Sequence, residues 1–489
     1  MPFNSYPYFL FLAVAMLGFR LLEKRALTGR RVFLLLASYA FYAWWRADFL
    51  VLLCGSTLVN YAIGQQIEQR RARQADRRAF LIAGLVFNLG LIATFKYDTL
   101  FVGTANDLMG LGLAVPHFFL PLAISFFTFE QISYLVDADA GKTHNYSLLD
   151  YALFVAYFPH LIAGPIVRHN DLIPQFRQLR AGNDDLATGI TLFSLGLAKK
   201  SLIADNLSPF ADAIFNAAGR GTHLGATDSW LGTLFFAFQI YFDFSAYSDM
   251  ALGSSVMLGI RLPVNFHSPY KSASIIEFWR RWHISLSAFL RDYLYFPLGG
   301  NRQGRGRRYL NLFITMLLGG LWHGANWTFM LWGGLHGFYL AINHAFRHAT
   351  KGKAPPPALR LPLHIASVAL TFAATTLAWI MFRSADLAAA RNVVGGFLGQ
   401  GHSAIVSFSP LAAATLLALS VIVWFMPNSM ELMWRYRPAL PSPYADQPVA
   451  PAKRLSWQPT PLNAAAYGLL CIVAVLALSN LKPFIYFQF

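Results

Sequence analysis

Apolar residues recur along this 489-residue chain in long runs rather than in alternation, and most runs end in a cluster of basic or turn-forming residues. A helix of about 20 such residues is long enough to cross a bilayer. The first run extends from Tyr6 to Leu22 and is followed by Lys24, Arg25, Arg30 and Arg31. A second starts at Val32 and reaches Trp44 and Trp45, an aromatic pair suited to a membrane interface. A third, Phe49 to Ile67, precedes Arg70, Arg71, Arg73, Arg77 and Arg78, and a fourth runs from Ala79 to Phe95. Basic loops stay on the cytoplasmic side, so the N-terminus is expected outside and both arginine-rich loops inside. No basic stretch precedes the first run and no small-residue cleavage site follows it. It is therefore expected to be a retained membrane helix rather than a cleaved leader.

Further spans are expected at Pro121–Asp137, Tyr151–Val167, Ile190–Ala204, Trp230–Asp249, Leu331–Phe346, Leu361–Phe382, Pro410–Met426 and Leu462–Leu481. A proline-rich loop from Arg437 to Pro461 separates the last two. Hydrophobic residues make up 56% of the chain and charged residues only 13%, too few to cover a soluble protein of this size. The short alternating segments of a β-barrel are absent. The fold class expected is an all-α polytopic membrane protein with roughly 11–13 membrane helices. No internal repeat is visible, which weakens a transporter reading. The net charge of +16 falls in the loops between spans, which assigns it to topology rather than to nucleic acid. Cys54 and Cys471 each lie within an apolar run, and no metal or redox spacing exists.

Ionisable groups inside such spans are costly and mark function or internal pairing. Glu130 interrupts PLAISFFTFE and is expected to face protein or water. His160 lies in FPHLIAGPIVR, where Pro159, Gly164 and Pro165 argue against a straight helix. It is equally suited to satisfying freed backbone carbonyls and to a functional role. Asp243 and Asp249, in QIYFDFSAYSDM, suggest a polar cavity or pairing with arginines such as Arg280 and Arg281. The segment after Ala204, up to Ser229, reads as a polar, glycine-rich loop. Its HLGATD, His223 to Asp228, matches the HxxxxD pattern of soluble glycerolipid acyltransferases, a near-chance match among thirteen histidines.

The densest chemistry lies between Glu277 and Asn326. Read as one helix, Glu277–Leu290 places Trp279, Trp282, His283, Leu286 and Leu290 on one side. Glu277, Arg280 and Arg281 then fall within pairing distance of one another. From Lys271 to Arg308 there are eight basic residues against Glu277 and Asp292. A cytoplasmic loop explains that charge without a ligand, and a donor with several phosphates would equally suit it. Further on, His323 sits in GGLWHG, where Gly320 and Gly324 have the spacing that lets helix backbones approach closely. A second glycine-flanked histidine, His336, follows in GGLHG. A buried neutral imidazole beside a hydroxyl is what a general base requires.

The runs QIYFDFSAYSDMALG, NFHSPYKSASIIEFWRRWHISLSAFLRDYLYFPLGGNRQG and GGLWHGANWTFMLWGGLHG resemble the membrane-bound O-acyltransferase family. LPLAISFFTFEQISYLVD, FPHLIAGPIVRH and the terminal KPFIYFQF resemble its bacterial polysaccharide-acetylating branch, with Ala246 and Glu130 standing where glycine and glutamine are common. The resemblance implies a single membrane domain, residues 1–489, with a ring of helices around a central funnel. Its acyltransferase core would span 118–347, flanked by N-terminal helices in 1–117 and C-terminal helices in 348–489. His323 would be the catalytic histidine and His283 the second polar residue of the site. Trp279, Arg280, Arg281, Asn326, Asp243 and Asp249 are the candidates for substrate binding, with no metal and no bound cofactor. The implied activity passes acetyl groups from cytoplasmic acetyl-CoA across a bacterial inner membrane to an exported polysaccharide, alginate or a similar exopolysaccharide. The implied partners are a periplasmic SGNH-type acetyltransferase and the surrounding membrane lipid. Acetylation of cellulose or peptidoglycan, or transport of an acyl group without catalysis, are the alternatives.

Overall fold

Nearly every apolar run is a helix in the computed structural model, which describes residues 1–24, 26–115, 118–352, 355–405, 409–441, 455–478 and 482–485. Among the described residues the only β feature is an isolated bridge between Pro263 and Leu440. The chain opens with α1 (Tyr6–Leu21), α2 (Leu27–Ala43), α3 (Ala47–Ala72), α4 (Arg78–Ile92) and α5 (Asp98–Met109). The middle comprises α6 (Ile124–Ala140), α7 (Leu148–Ala156), α8 (Phe158–Leu161), α9 (His169–Phe176), α10 (Asn183–Ala198), α11 (Asp205–Gly219) and α12 (Ala226–Met257). Then follow α13 (Ile275–Trp279), α14 (Ile284–Leu290), α15 (Gly304–His323), α16 (Trp327–Ala349) and α17 (Pro357–Arg383). Last come α18 (Leu387–Phe397), α19 (Pro410–Phe425), α20 (Ser429–Leu432) and α21 (Pro461–Leu476). Arg25 and parts of the expected 437–461 loop, the Leu462–Leu481 span and the KPFIYFQF terminus lie outside the described residues.

Four stretches among the described residues are long and apolar enough to cross a membrane: Ala47–Ala72, Arg78–Met109, Asn183–Gly219 and Pro357–Arg383. Helices α1, α19 and α21 are shorter but equally apolar. Their outer faces confirm the environment. On α1, Leu10, Val14, Leu17 and Leu21 are exposed, whereas Tyr8, Leu12, Ala15 and Phe19 are buried. Such an exposed apolar stripe is unfavourable in water and matches a hydrocarbon solvent. The protein is a multi-pass, all-α membrane protein.

Two helix pairs form the interior. The 32-residue α12 is buried along most of its length and packs against α10. α15 packs along α16 just as closely, because Gly320 and Gly333 meet there. A Cβ on Gly320 would strike the Phe329 carbonyl, and one on Gly333 the Met316 carbonyl. Gly324, the expected partner of Gly320, instead lies just beyond the helix in extended backbone.

The structure corrects four expectations. Glu277–Leu290 is not one helix: it breaks over Arg280–His283, and His283 adopts left-handed backbone (φ 43°, ψ 55°). The break is held by His267 N–H donating to the Arg281 carbonyl (2.9 Å) and Ile284 N–H to the Asn265 carbonyl (3.0 Å). The stretch between Ala204 and Ser229 is mostly helix α11, with Ala226 already opening α12, so HLGATD straddles a helix start. There Asp228 is buried and accepts from Ser403 Oγ (2.6 Å) and Ile405 N–H (2.9 Å). The basic loop ends at Gln303, so Arg305, Arg307 and Arg308 form the first turns of α15. Asp243 and Asp249 pair not with Arg280 and Arg281 but with Lys200 (2.7 Å) and Lys199 (2.6 Å).

Candidate active site

His323 is the last residue of α15, buried among the rings of Trp322, Trp332 and Phe382 at centroid separations of 5.0, 5.0 and 5.2 Å. The His283 ring lies 6.4 Å from it, centroid to centroid. The chain break described above brings the two together, because it turns His283 away from the course of α13 at the entry to α14. His283 is fully buried and stands edge-on to Phe244 at 4.8 Å.

Asn265 fixes the His283 ring. Its Oδ1 accepts from His283 Nδ1 (3.1 Å), Ser285 Oγ (2.9 Å) and Ser285 N–H (3.3 Å). A backbone amide can only donate, so this atom is the amide oxygen. His283 Nδ1 therefore carries the hydrogen, and the neutral ring's lone pair is on Nε2. Asn265 was not singled out from the sequence, although it lies within the NFHSPY run. Its signal is positional: a buried amide at the mouth of a chain reversal.

Two cavities approach this pair. One, of about 290 Å³, is lined by Met1, Trp45, Lys96, Ser125, Ile162, Trp322 and His323. The other, of about 340 Å³, is lined by Trp279, Arg280, Arg291, Arg308, Met316 and His344 among others, with no carboxylate among the described residues. They lie on opposite faces. α6 starts beside the first cavity and ends where Arg71 and Arg77 of the basic loop bond Asp139. Two residues earlier, Asp137 accepts from Tyr293 in the π-helical turn Arg291–Tyr295, which borders the second cavity. α15 itself runs from the second cavity at Arg308 to the first at His323.

Between the cavities stands an aromatic partition. Trp279 Nε1 donates to His336 Nδ1 (3.3 Å), and the His336 ring packs on Trp332 (4.8 Å), which in turn packs on His323. The substrate-binding candidates thus divide. Trp279 and Arg280 line the arginine-rich cavity, joined by Arg291, Arg308 and His344. Arg281 pairs with Glu277 at 2.6 Å. Asn326 caps α16 through Thr328 N–H (3.0 Å) and donates to the Ala385 carbonyl (2.7 Å). Asp243 and Asp249 are held in their lysine pairs, and Asp243 also accepts from Ile485 N–H (2.9 Å). His160 bridges Glu130 (3.1 Å) and the Phe154 carbonyl (3.0 Å), which combines two sequence suspects in one internal contact.

Comparison with known proteins identifies the family. Residues 56–382 match the membrane-bound O-acyltransferase family, an interval that contains both histidines and the three arginines of the second cavity. The chain is 40% identical over 471 residues, 94% of either chain, to a probable alginate O-acetylase, AlgI, of Pseudomonas putida. It is 41% identical over 438 residues to a peptidoglycan O-acetyltransferase of Helicobacter pylori, covering 83% of this chain and 81% of that one. A teichoic acid D-alanyltransferase of Streptococcus thermophilus is 25% identical over 246 residues, 47% of this chain and 58% of its own. The chain belongs to the membrane-bound O-acyltransferase family and is an O-acyltransferase.

Proposed function

We propose that the protein transfers acetyl groups from cytoplasmic acetyl-CoA, through the membrane, to a hydroxyl on the outer side of a bacterial inner membrane. The observation that carries this reading is the course of α15, from a cavity lined by three arginines to His323 in a cavity on the opposite face. Guanidinium groups bind phosphate oxygens through paired hydrogen bonds, which suits the phosphates of coenzyme A. In the transfer step His323 takes the proton of the acceptor hydroxyl as its oxygen attacks the thioester carbonyl. The C–S bond then breaks, and the thiolate leaves with that proton. His283, its tautomer set by Asn265, orients the reacting group.

The acceptor is an exported polysaccharide, alginate or a similar exopolysaccharide, reached through a serine of a periplasmic SGNH-type partner. Similarity to a peptidoglycan O-acetyltransferase keeps that polymer as the second reading, beside cellulose. The test is His323→Ala in the full-length protein, with O-acetyl content of the exported polymer measured against membrane protein level. Acetylation is expected to vanish at unchanged abundance, and normal acetylation would remove His323 from the chemistry.

A further inference from the structure

Helix α15 ends abruptly at the residue on which the proposed chemistry depends. The last carbonyls of any helix have no partner within it. Here Gly324 continues in extended backbone (φ −166°) and closes no capping turn. Three consecutive carbonyls at the end of α15 are instead met by two consecutive side chains from elsewhere. Tyr97 OH donates to the Leu321 carbonyl at 2.9 Å. Lys96 Nζ donates to the Trp322 carbonyl at 2.5 Å and the His323 carbonyl at 3.2 Å, with Ser125 Oγ as its third partner at 3.3 Å. The ammonium thus uses its three hydrogens on this one junction, at the negative end of the helix dipole.

Both side chains come from the π-helical turn Ala93–Tyr97 between α4 and α5. A π turn inserts an extra residue into the helical path and recurs at functional sites. The Lys96 side chain also lines the first cavity, where it is the only charged side chain among the described residues, and its ammonium lies 5.8 Å from the Trp322 ring centroid. We propose that Lys96, assisted by Tyr97, is a positioning residue for acyl transfer: it anchors the end of α15 so that the His323 ring keeps its direction between the two cavities. This rests on the assignment of His323 above. The sequence marks Lys96 only as a single cation at the end of an apolar run.

The experiment compares Lys96→Met, Lys96→Arg, Tyr97→Phe and His323→Ala in purified full-length protein, with thiol release from acetyl-CoA as the readout and thermal unfolding run in parallel. A misplacement of about 1 Å at a reacting group costs on the order of 100-fold in rate. Lys96→Met is therefore expected to lower kcat by about 10- to 100-fold. KM for acetyl-CoA should be unchanged, because the arginine-lined cavity is on the other face. Lys96→Arg should recover much of the loss, since it restores charge and donors, and Tyr97→Phe should lower kcat several-fold at the same KM. A purely structural cap predicts instead fewer folded molecules, each with full kcat, and that result overturns the proposal. If Lys96→Met does not fold, Tyr97→Phe decides alone: unchanged kcat overturns the proposal and a lowered kcat at constant KM supports it. An active His323→Ala overturns the underlying assignment, whereas an inactive one beside a fully active Lys96→Met overturns the role of Lys96 only.

Discussion

Asn265→Ala tests whether the His283 tautomer matters to the reaction. The substitution deletes one oxygen that accepts from His283 Nδ1, Ser285 Oγ and Ser285 N–H, and one Nδ2 donor to Ser248 Oγ (3.3 Å). A buried donor left without an acceptor costs roughly 1–3 kcal/mol. A small cavity lined by Ser285 and Ile284 gives water a route to part of the gap. The net loss of stability is then expected at about 2–4 kcal/mol, below the unrelaxed sum. The effect on rate has a separate origin. Without the amide oxygen the Nδ1 acceptor described above is gone, and on the scale of a metal-bound imidazole that loses its orienting partner activity should fall by about 10- to 100-fold. Ser285→Ala is the control: it removes a hydroxyl that Asn265 and the Ile166 amide both bond, but leaves the His283 contact in place. Turnover of acetyl-CoA per folded molecule should fall in Asn265→Ala and hold in Ser285→Ala, while both unfold at lower temperature. Full kcat in Asn265→Ala would refute the orienting role and leave Asn265 as scaffold.

Three other outcomes follow from the packing and charge. Gly333→Val places a branched side chain against the Met316 carbonyl and should destabilise the α15–α16 pair by about 1–3 kcal/mol or more, read from thermal unfolding in detergent. Lys200→Met leaves both Asp243 and Asp205 without the ammonium they share and should cost about 3–5 kcal/mol, visible as lost membrane protein, while the double change with Asp243→Leu should restore only part of it because Asp205 still lacks that partner. Arg308→Ala should raise KM for acetyl-CoA by about 10- to 100-fold with little change in kcat, from ~1.5–3 kcal/mol for a hydrogen bond to a charged group. An unchanged KM would take Arg308 out of donor binding.

Hydropathy located the helices well because a span is a local property of about 20 consecutive residues. The expected Tyr6–Leu22 span, for example, is α1 to within a residue. What it did not reveal are features imposed by distant partners. Nothing in FWRRWH marks a break, since a histidine with positive φ is set by contacts to Asn265 and His267 from the preceding loop. Period-based reasoning also left the partners of Asp243 and Asp249 open. Their lysines lie some forty to fifty residues upstream on a neighbouring helix turn, and only the α10–α12 packing brings them together. Arg308 and Arg280 likewise share a cavity although one opens α15 and the other ends α13. The two histidines stood out as candidates for a different reason: His323 lies amid glycine and tryptophan in an apolar run and His283 in a charged, aromatic knot beside one, and ionisable groups are costly in such surroundings.

The partition between the cavities places a demand on the donor proposed above. Met316 lines the arginine-rich cavity, and His323 stands seven residues further along the same helix. At ~1.5 Å per residue that is about 10 Å of travel past Trp279, His336 and Trp332. A phosphate-bearing group held by Arg280 and Arg308 can deliver its acyl carbon to His323 only on a narrow arm of about that length or more. An acetyl thioester on the long, thin arm of coenzyme A meets this requirement. Acetyl phosphate, which joins the acyl group directly to the phosphate, does not. Acetyl phosphate should therefore give no transfer under conditions where acetyl-CoA does, and should compete with it only weakly. Transfer from acetyl phosphate at a rate like that from acetyl-CoA would mean that the acyl group reaches His323 without crossing the partition, and would take the arginine-lined cavity out of the donor's path.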